Sequence, residues 1–353
     1  MAPVKKYRPT TDLFFAVLMG VLAVYSQPVI ALENRPQGVS AATLGVVINL
    51  DDPQSVAVGE YYQKRRSIPA ANIIRVHVRA DANTLSESEF RILKASIDRQ
   101  TRSSIQAYAL TWVRPYRVEC MSMTTAIAAG FNRDYCSEGC KTTRVSAYYD
   151  SSSREPMLDA ALRPTMMIAA TSLKEAKALI DRGVAADSTA PKGTAYLVNT
   201  RDTARNVRTP RFALAQDLFG KEFSIRRMDA ESLTEASDVM FYFIGAVHVP
   251  NLTSNRFLPG AVADHLTSTG GDLLSTSQMS SLRWLEAGAT ASYGTVVEPC
   301  AFTAKFPDPV VMMKHYFAGE TLIEAYWKSV AMPGQGLFIG EPLARPYSRI
   351  EAR

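Results

Sequence analysis

DVMFYFIGAVHVP at residues 238–250 and PGAVADHLTSTGGDLLSTSQMSSLRWLEAGATASYGTVVEPC at 259–300 form the stretch whose reading decides the fold. Residues 240–245 are apolar and aromatic, as a strand buried on both faces requires. Pro259 stands where helices open and Gly270-Gly271 where they close, so 259–270 is expected to be a helix. Residues 272–275 are expected to form a short strand. A helix at 280–287, with Leu282 and Leu285 on one side, and a third strand at 289–294 follow. Elements alternating at this length imply parallel strands joined by crossover helices. In such sheets ligands gather beyond the carboxyl ends of the strands. Those ends carry Ala246-Val247-His248, Thr276-Ser277-Gln278 and residues 295–300.

Upstream the same rhythm holds. TLGVVINL (43–50) reads as a buried strand that ends in Asp51-Asp52-Pro53, and 55–66 as a helix. Strands are expected at 72–78 and 105–112. Between them a helix runs to about residue 99, its Ser86 and Glu89 spaced as a capping box. Residues 113–164 break the pattern and are expected to be an irregular, cysteine-bearing insertion. Strands at 165–170, 194–199, 223–228 and 335–339 complete the reading, with helices at 172–183, 211–218, 310–317 and 322–329. The expected fold class is α/β: a doubly wound, mainly parallel sheet with helices on both faces, one domain over residues 32–353.

The chain has 353 residues, 47% hydrophobic and 21% charged, with a net charge of +5. Its basic residues are scattered, without the basic, aromatic-interleaved stripe of nucleic-acid binders, so no nucleic acid is expected as partner. Lys5, Lys6 and Arg8 precede an apolar run at 13–24, and Val29 and Ala31 fit a cleavage site. Residues 1–31 are therefore expected to be an export signal, with an uncleaved anchor as the alternative. Its removal lowers the charge to about +3. No later stretch is apolar enough to span a bilayer. The expected location is periplasmic or extracellular, with an envelope or extracellular protein or polymer as partner.

Export makes disulfides the first reading of the four cysteines. Cys136 and Cys140 are close enough for a small-loop bridge, or for half a zinc site that has no second half. Cys120 and Cys300 are then left as a long-range pair or as free thiols. No metal-binding helix, phosphate loop or calcium loop occurs, and neither a metal nor a cofactor is expected.

The segments VVINLDDPQSVAVGEYYQKRRSIPAANII (46–74) and GATASYGTVVEPC (288–300) with FIGEPLARPY (338–347) resemble an uncharacterised family of exported bacterial proteins across the mature chain. From residue 238 onward the chain is similar to cysteine peptidases of the gingipain and caspase type. That resemblance implies a histidine in a Gly-His-Gly turn after one strand and a cysteine ending the next. Here the turn reads Gly245-Ala246-Val247, and the expected next strand runs into Thr276-Ser277-Gln278, so both members of the dyad are missing. The first expectation is a non-catalytic binding protein. The alternative is a divergent cysteine hydrolase in which Cys300 attacks and His248 takes the proton.

Candidate ligand-binding residues are Asp51 and Asp52, which otherwise serve as turn and helix cap, and Trp112 with Arg114, suited to stacking and charge-assisted bonds. Ser277 and Glu298 on the carboxyl-end loops complete the set. His265 is placed mid-helix, as a helix-face residue rather than a ligand.

Overall fold

The computed structural model describes residues 1–4, 38–137 and 140–348. The expected export signal falls almost wholly on residues 5–37, outside the described set. Alternation begins with β1 (Leu44–Asn49), α1 (Pro53–Arg66), β2 (Ile73–Val76), the short β3 (Thr84–Leu85), α2 (Glu87–Gln100) and β4 (Ala107–Leu110). The insertion contributes β5 (Arg117–Val118), β6 (Met121–Ser122), α3 (Met123–Ala129) and α4 (Pro156–Asp159). Then come β7 (Thr165–Met167), α5 (Leu173–Ala186), β8 (Thr194–Asn199), α6 (Thr209–Phe219) and β9 (Ser224–Asp229). The stretch that decides the fold forms β10 (Val239–Gly245), β11 (Phe257–Leu266), α7 (Leu282–Ala287) and β12 (Ala291–Thr295). Helices α8 (Pro309–Phe317) and α9 (Leu322–Lys328) and strand β13 (Gly336–Gly340) follow.

Ten strands form one sheet in the order β2-β1-β4-β7-β13-β12-β11-β10-β8-β9. The strands β2, β1, β4 and β7 pair in parallel, as do β12, β11, β10, β8 and β9. Strand β13 lies between the two groups, antiparallel to β12 and joined to β7 through Ile339 and Met167. The fold is α/β, mainly parallel, as the sequence implies. Neighbours on β10 show how helices cover both faces. The Tyr242 ring meets Trp284 of α7 edge-on at 4.9 Å, while Phe241, pointing the other way, meets Phe317 of α8 at 5.7 Å. These buried aromatic contacts add about 1 kcal/mol each beyond area burial.

Local chemistry explains most element boundaries. Asp52 accepts the Gln54 N–H at the start of α1, and Ser86 and Glu89 close a reciprocal cap on α2. Two readings are corrected. Residues 259–270 are not a helix: 257–266 is a ten-residue strand. Residues 272–275 form a turn rather than a strand, with the Ser275 N–H donating to Asp272 O at 3.2 Å. Proline and glycine at 259–260 imitate a helix start. In the strand they make a kink: Gly260 has φ +87°, its N–H donates to Thr290 Oγ1 at 2.9 Å and its carbonyl accepts from Tyr316 Oη at 3.0 Å.

Candidate functional site

The loops following β8, β10, β11 and β12 meet beyond the carboxyl ends of those strands. Gly245 ends β10 against the backbone of Arg205, and an added Cβ would lie 2.1 Å from Arg205 O. Thr200 Oγ1 donates to Gly245 O at 2.7 Å, pinning the loop after β8 to β10. The Arg205 guanidinium bonds Asp202 at 2.8 Å and donates from Nε to Thr267 Oγ1 at 3.3 Å. Thr267 Oγ1 in turn donates to Gln278 Oε1 at 2.8 Å, and that oxygen also accepts the Thr269 N–H at 2.9 Å. Thr295 Oγ1 donates to Ser268 O at 2.8 Å. The loop after β11 passes so close to β12 that a Cβ on Gly294 would meet Gly270 C at 2.2 Å. A connected polar network of this kind holds its members in one geometry.

His248 is exposed in the loop after β10. It lines a groove of about 330 Å³ together with Leu274, Ser275, Thr276 and Arg283. Cys300 is not among the residues lining that groove. Its N–H donates to Glu298 Oε1 at 2.7 Å, and its sulfur is bonded to Cys140. Ser277 is exposed and turns toward Ser275, with their hydroxyls 3.0 Å apart. The strand after β10 is β11, so its carboxyl end falls at Thr267-Ser268 instead of Thr276-Ser277.

The cysteine pairing also differs from expectation. Cys120 bonds Cys136 and Cys140 bonds Cys300, where spacing favours a Cys136–Cys140 bridge with Cys120 and Cys300 as a long-range pair or as free thiols. The fold brings Cys120 and Cys136 to a Cα separation of 5.3 Å and Cys140 and Cys300 to 5.2 Å, within the range a bridge needs. The buried Lys305 ammonium donates to Ser137 Oγ at 3.0 Å and to Lys141 O at 2.7 Å, on either side of Cys140. Burial lowers the Lys305 pKa.

Asp51 receives His77 Nδ1 at 2.7 Å in an exposed pair, and Asp52 is occupied as the α1 cap. Trp112 is withdrawn as a stacking surface: it is 1% exposed, and its indole N–H donates to Pro115 O at 3.0 Å. Arg114 is half-buried beside it. The insertion instead reaches the loop after β11 through Tyr116, whose hydroxyl donates to Asp272. Burial first, then Asp272, raises the Tyr116 pKa, so the phenol stays protonated. Sequence reasoning missed Asp202, Arg205 and Thr267, and placed Gln278 at a strand end without giving it a role. With 257–266 read as a strand, TSTGGD would have stood out as a strand-end loop. Among the described residues no group of three His, Cys, Asp or Glu side chains is placed to hold a metal.

No family model and no curated protein matches the sequence. Among solved structures, the complex of Porphyromonas gingivalis RgpB pro- and mature domains is similar at 11% identity and a TM-score of 0.47, covering 86% of this chain and 80% of that one. A second structure, described only as a protease, is similar at 11% identity and a TM-score of 0.47, covering 87% of this chain and 79% of that one. The chemistry of this chain is read from its own residues.

Proposed function

We propose that this is an exported, non-catalytic protein that binds a ligand or partner at the carboxyl-end loops of its sheet. The observation that carries the reading is the state of the groups a peptidase would need. The Cys300 sulfur is held by Cys140, Ala246 stands in the turn of the base, and the Thr267 hydroxyl is committed to Gln278. A sulfur in a disulfide is not a thiolate nucleophile. The exposed His248, with Ser275 and Arg283 around the same groove, offers donors to an acidic or polyhydroxylated ligand.

The alternative hydrolase with Cys300 as nucleophile and His248 as base requires the Cys140–Cys300 bond to open first. Incubating the exported protein with a peptide library, with and without reductant, separates the two readings. No cleavage is expected under either condition. Cleavage that appears with reductant and is lost in Cys300→Ser and His248→Ala would overturn the binding reading.

A further inference from the structure

The two edges of the sheet are finished differently. At the β2 edge, the Gln100 side chain accepts the Arg75 N–H at 3.0 Å and donates to Arg75 O at 2.8 Å, so a side-chain amide pairs the outward backbone groups as a neighbouring strand would. The opposite edge is β9. It pairs with β8 from Thr194 opposite Ser224 to Asn199 opposite Asp229, and the Ala230 N–H donates to Asn199 O. Alternation then turns residues 224, 226 and 228 toward β8. The N–H and C=O groups of Ile225, Arg227 and Asp229 point outward. Among the described residues no hydrogen bond closes them.

This open edge lies in a gutter of about 820 Å³. One wall is the segment after β9, where the Leu233 N–H donates to Tyr242 Oη on the α7 face of the sheet. Gln216 of α6 contributes from the other side, and Ile225, Met228 and Leu233 supply apolar floor. Arg226 and Arg227 are both exposed at the centre of the strand.

We propose that β9 is a docking edge for an extended acidic segment of another protein, which joins the sheet as an eleventh strand. Backbone groups supply the pairing, and side chains of the incoming strand select it. Glu235 and Asp238 line the same gutter and Asp238 answers Arg226, so Arg227, on the opposite face of the strand, chooses the partner. Twofold pairing of β9 with a second copy, centred on Arg226 or Arg227, would set the central arginine against its own copy, and like charges directly opposite are unfavourable. A strand carrying a carboxylate opposite Arg227 gains instead. The proposal concerns the sheet edge and does not depend on the carboxyl-end site.

The test uses two fluorescein-labelled ten-residue peptides, one alternating valine with glutamate and one alternating valine with lysine, read by anisotropy. The glutamate peptide is expected to bind at least tenfold more tightly. Arg227→Pro removes one outward N–H at an edge position where proline is tolerated, and should weaken binding at least tenfold without lowering Tm by more than a few degrees. Arg226→Glu combined with Arg227→Glu should invert the peptide preference. If Arg227→Pro does not fold, hydrogen exchange of wild-type residues 224–229 decides the matter: slowing on addition of the glutamate peptide supports the edge, and no change overturns it. Equal binding of both peptides, or binding untouched by the charge reversal, also overturns it. A dimer in sedimentation that the charge reversal dissociates would assign the edge to a second copy and sink the proposal.

Discussion

His265 has both ring nitrogens committed in the interior of β11. Its Nε2–H donates to Met279 O at 2.9 Å, and its Nδ1 accepts the Trp284 indole N–H at 3.0 Å. Burial disfavours the imidazolium and lowers its pKa to about 3. The folded His265 ring therefore stays neutral at a pH where it takes up a proton in the unfolded chain. The stability this site contributes is complete above about pH 6.5 and is lost progressively as pH falls toward 3. His265→Leu removes that acid dependence but strands two buried polar partners, at about 2–4 kcal/mol near neutrality. Urea midpoints at pH 7 and pH 4.5 check both effects: the wild type should lead the variant clearly at pH 7 and by less at pH 4.5. Residue-scale chemistry was legible where it is local. Asp52, Ser86 and Glu89 cap their helices as their spacing implies. His265 was not legible, because its partners lie 14 and 19 positions away.

Strand β11 is the element on which sequence and structure part. Its sides are both buried, so it shows no two-residue alternation to set against the helix-like proline start and glycine stop. Tertiary pairing with β10 overrides those signals, from Phe241 opposite Val262 to Gly245 opposite Leu266. The misplacement carried the whole loop after it, which is why Thr267 and Gln278 were passed over in favour of Ser277. Two glycines test the element. Gly260→Ala meets both a positive φ and an Ala186 methyl carbon 3.1 Å away, and should lose more than about 1 kcal/mol in denaturant unfolding. Gly294→Ala places its methyl into the Gly270 backbone, which cannot swing aside as a side chain would. A loss of at least about 2 kcal/mol is expected, with the 267–271 loop displaced.

At the scale of the molecule, the alternation of elements made a mainly parallel sheet legible, while the strand order was not. Nothing local in β13 announces that it lies between β7 and β12, and the step from β7 to β8 passes four strands of the sheet. Cysteine pairing was not legible for the same reason: spacing favours the nearest partner, whereas the fold brings Cys300 to Cys140 from 160 residues away. The two bridges span 16 and 160 residues, so in the chain-entropy account the longer one restrains the unfolded state more, by about 5 against about 3 kcal/mol. Replacing Cys140 and Cys300 together by serine should lower the denaturation midpoint further than replacing Cys120 and Cys136. The same bridge fixes what a single cut can do. A protease that nicks the chain anywhere between Cys140 and Cys300, for instance in the exposed 201–204 loop, leaves two fragments still joined by one covalent tie. Such a clipped molecule would migrate at full mass in a gel without reductant and fall into two bands with it.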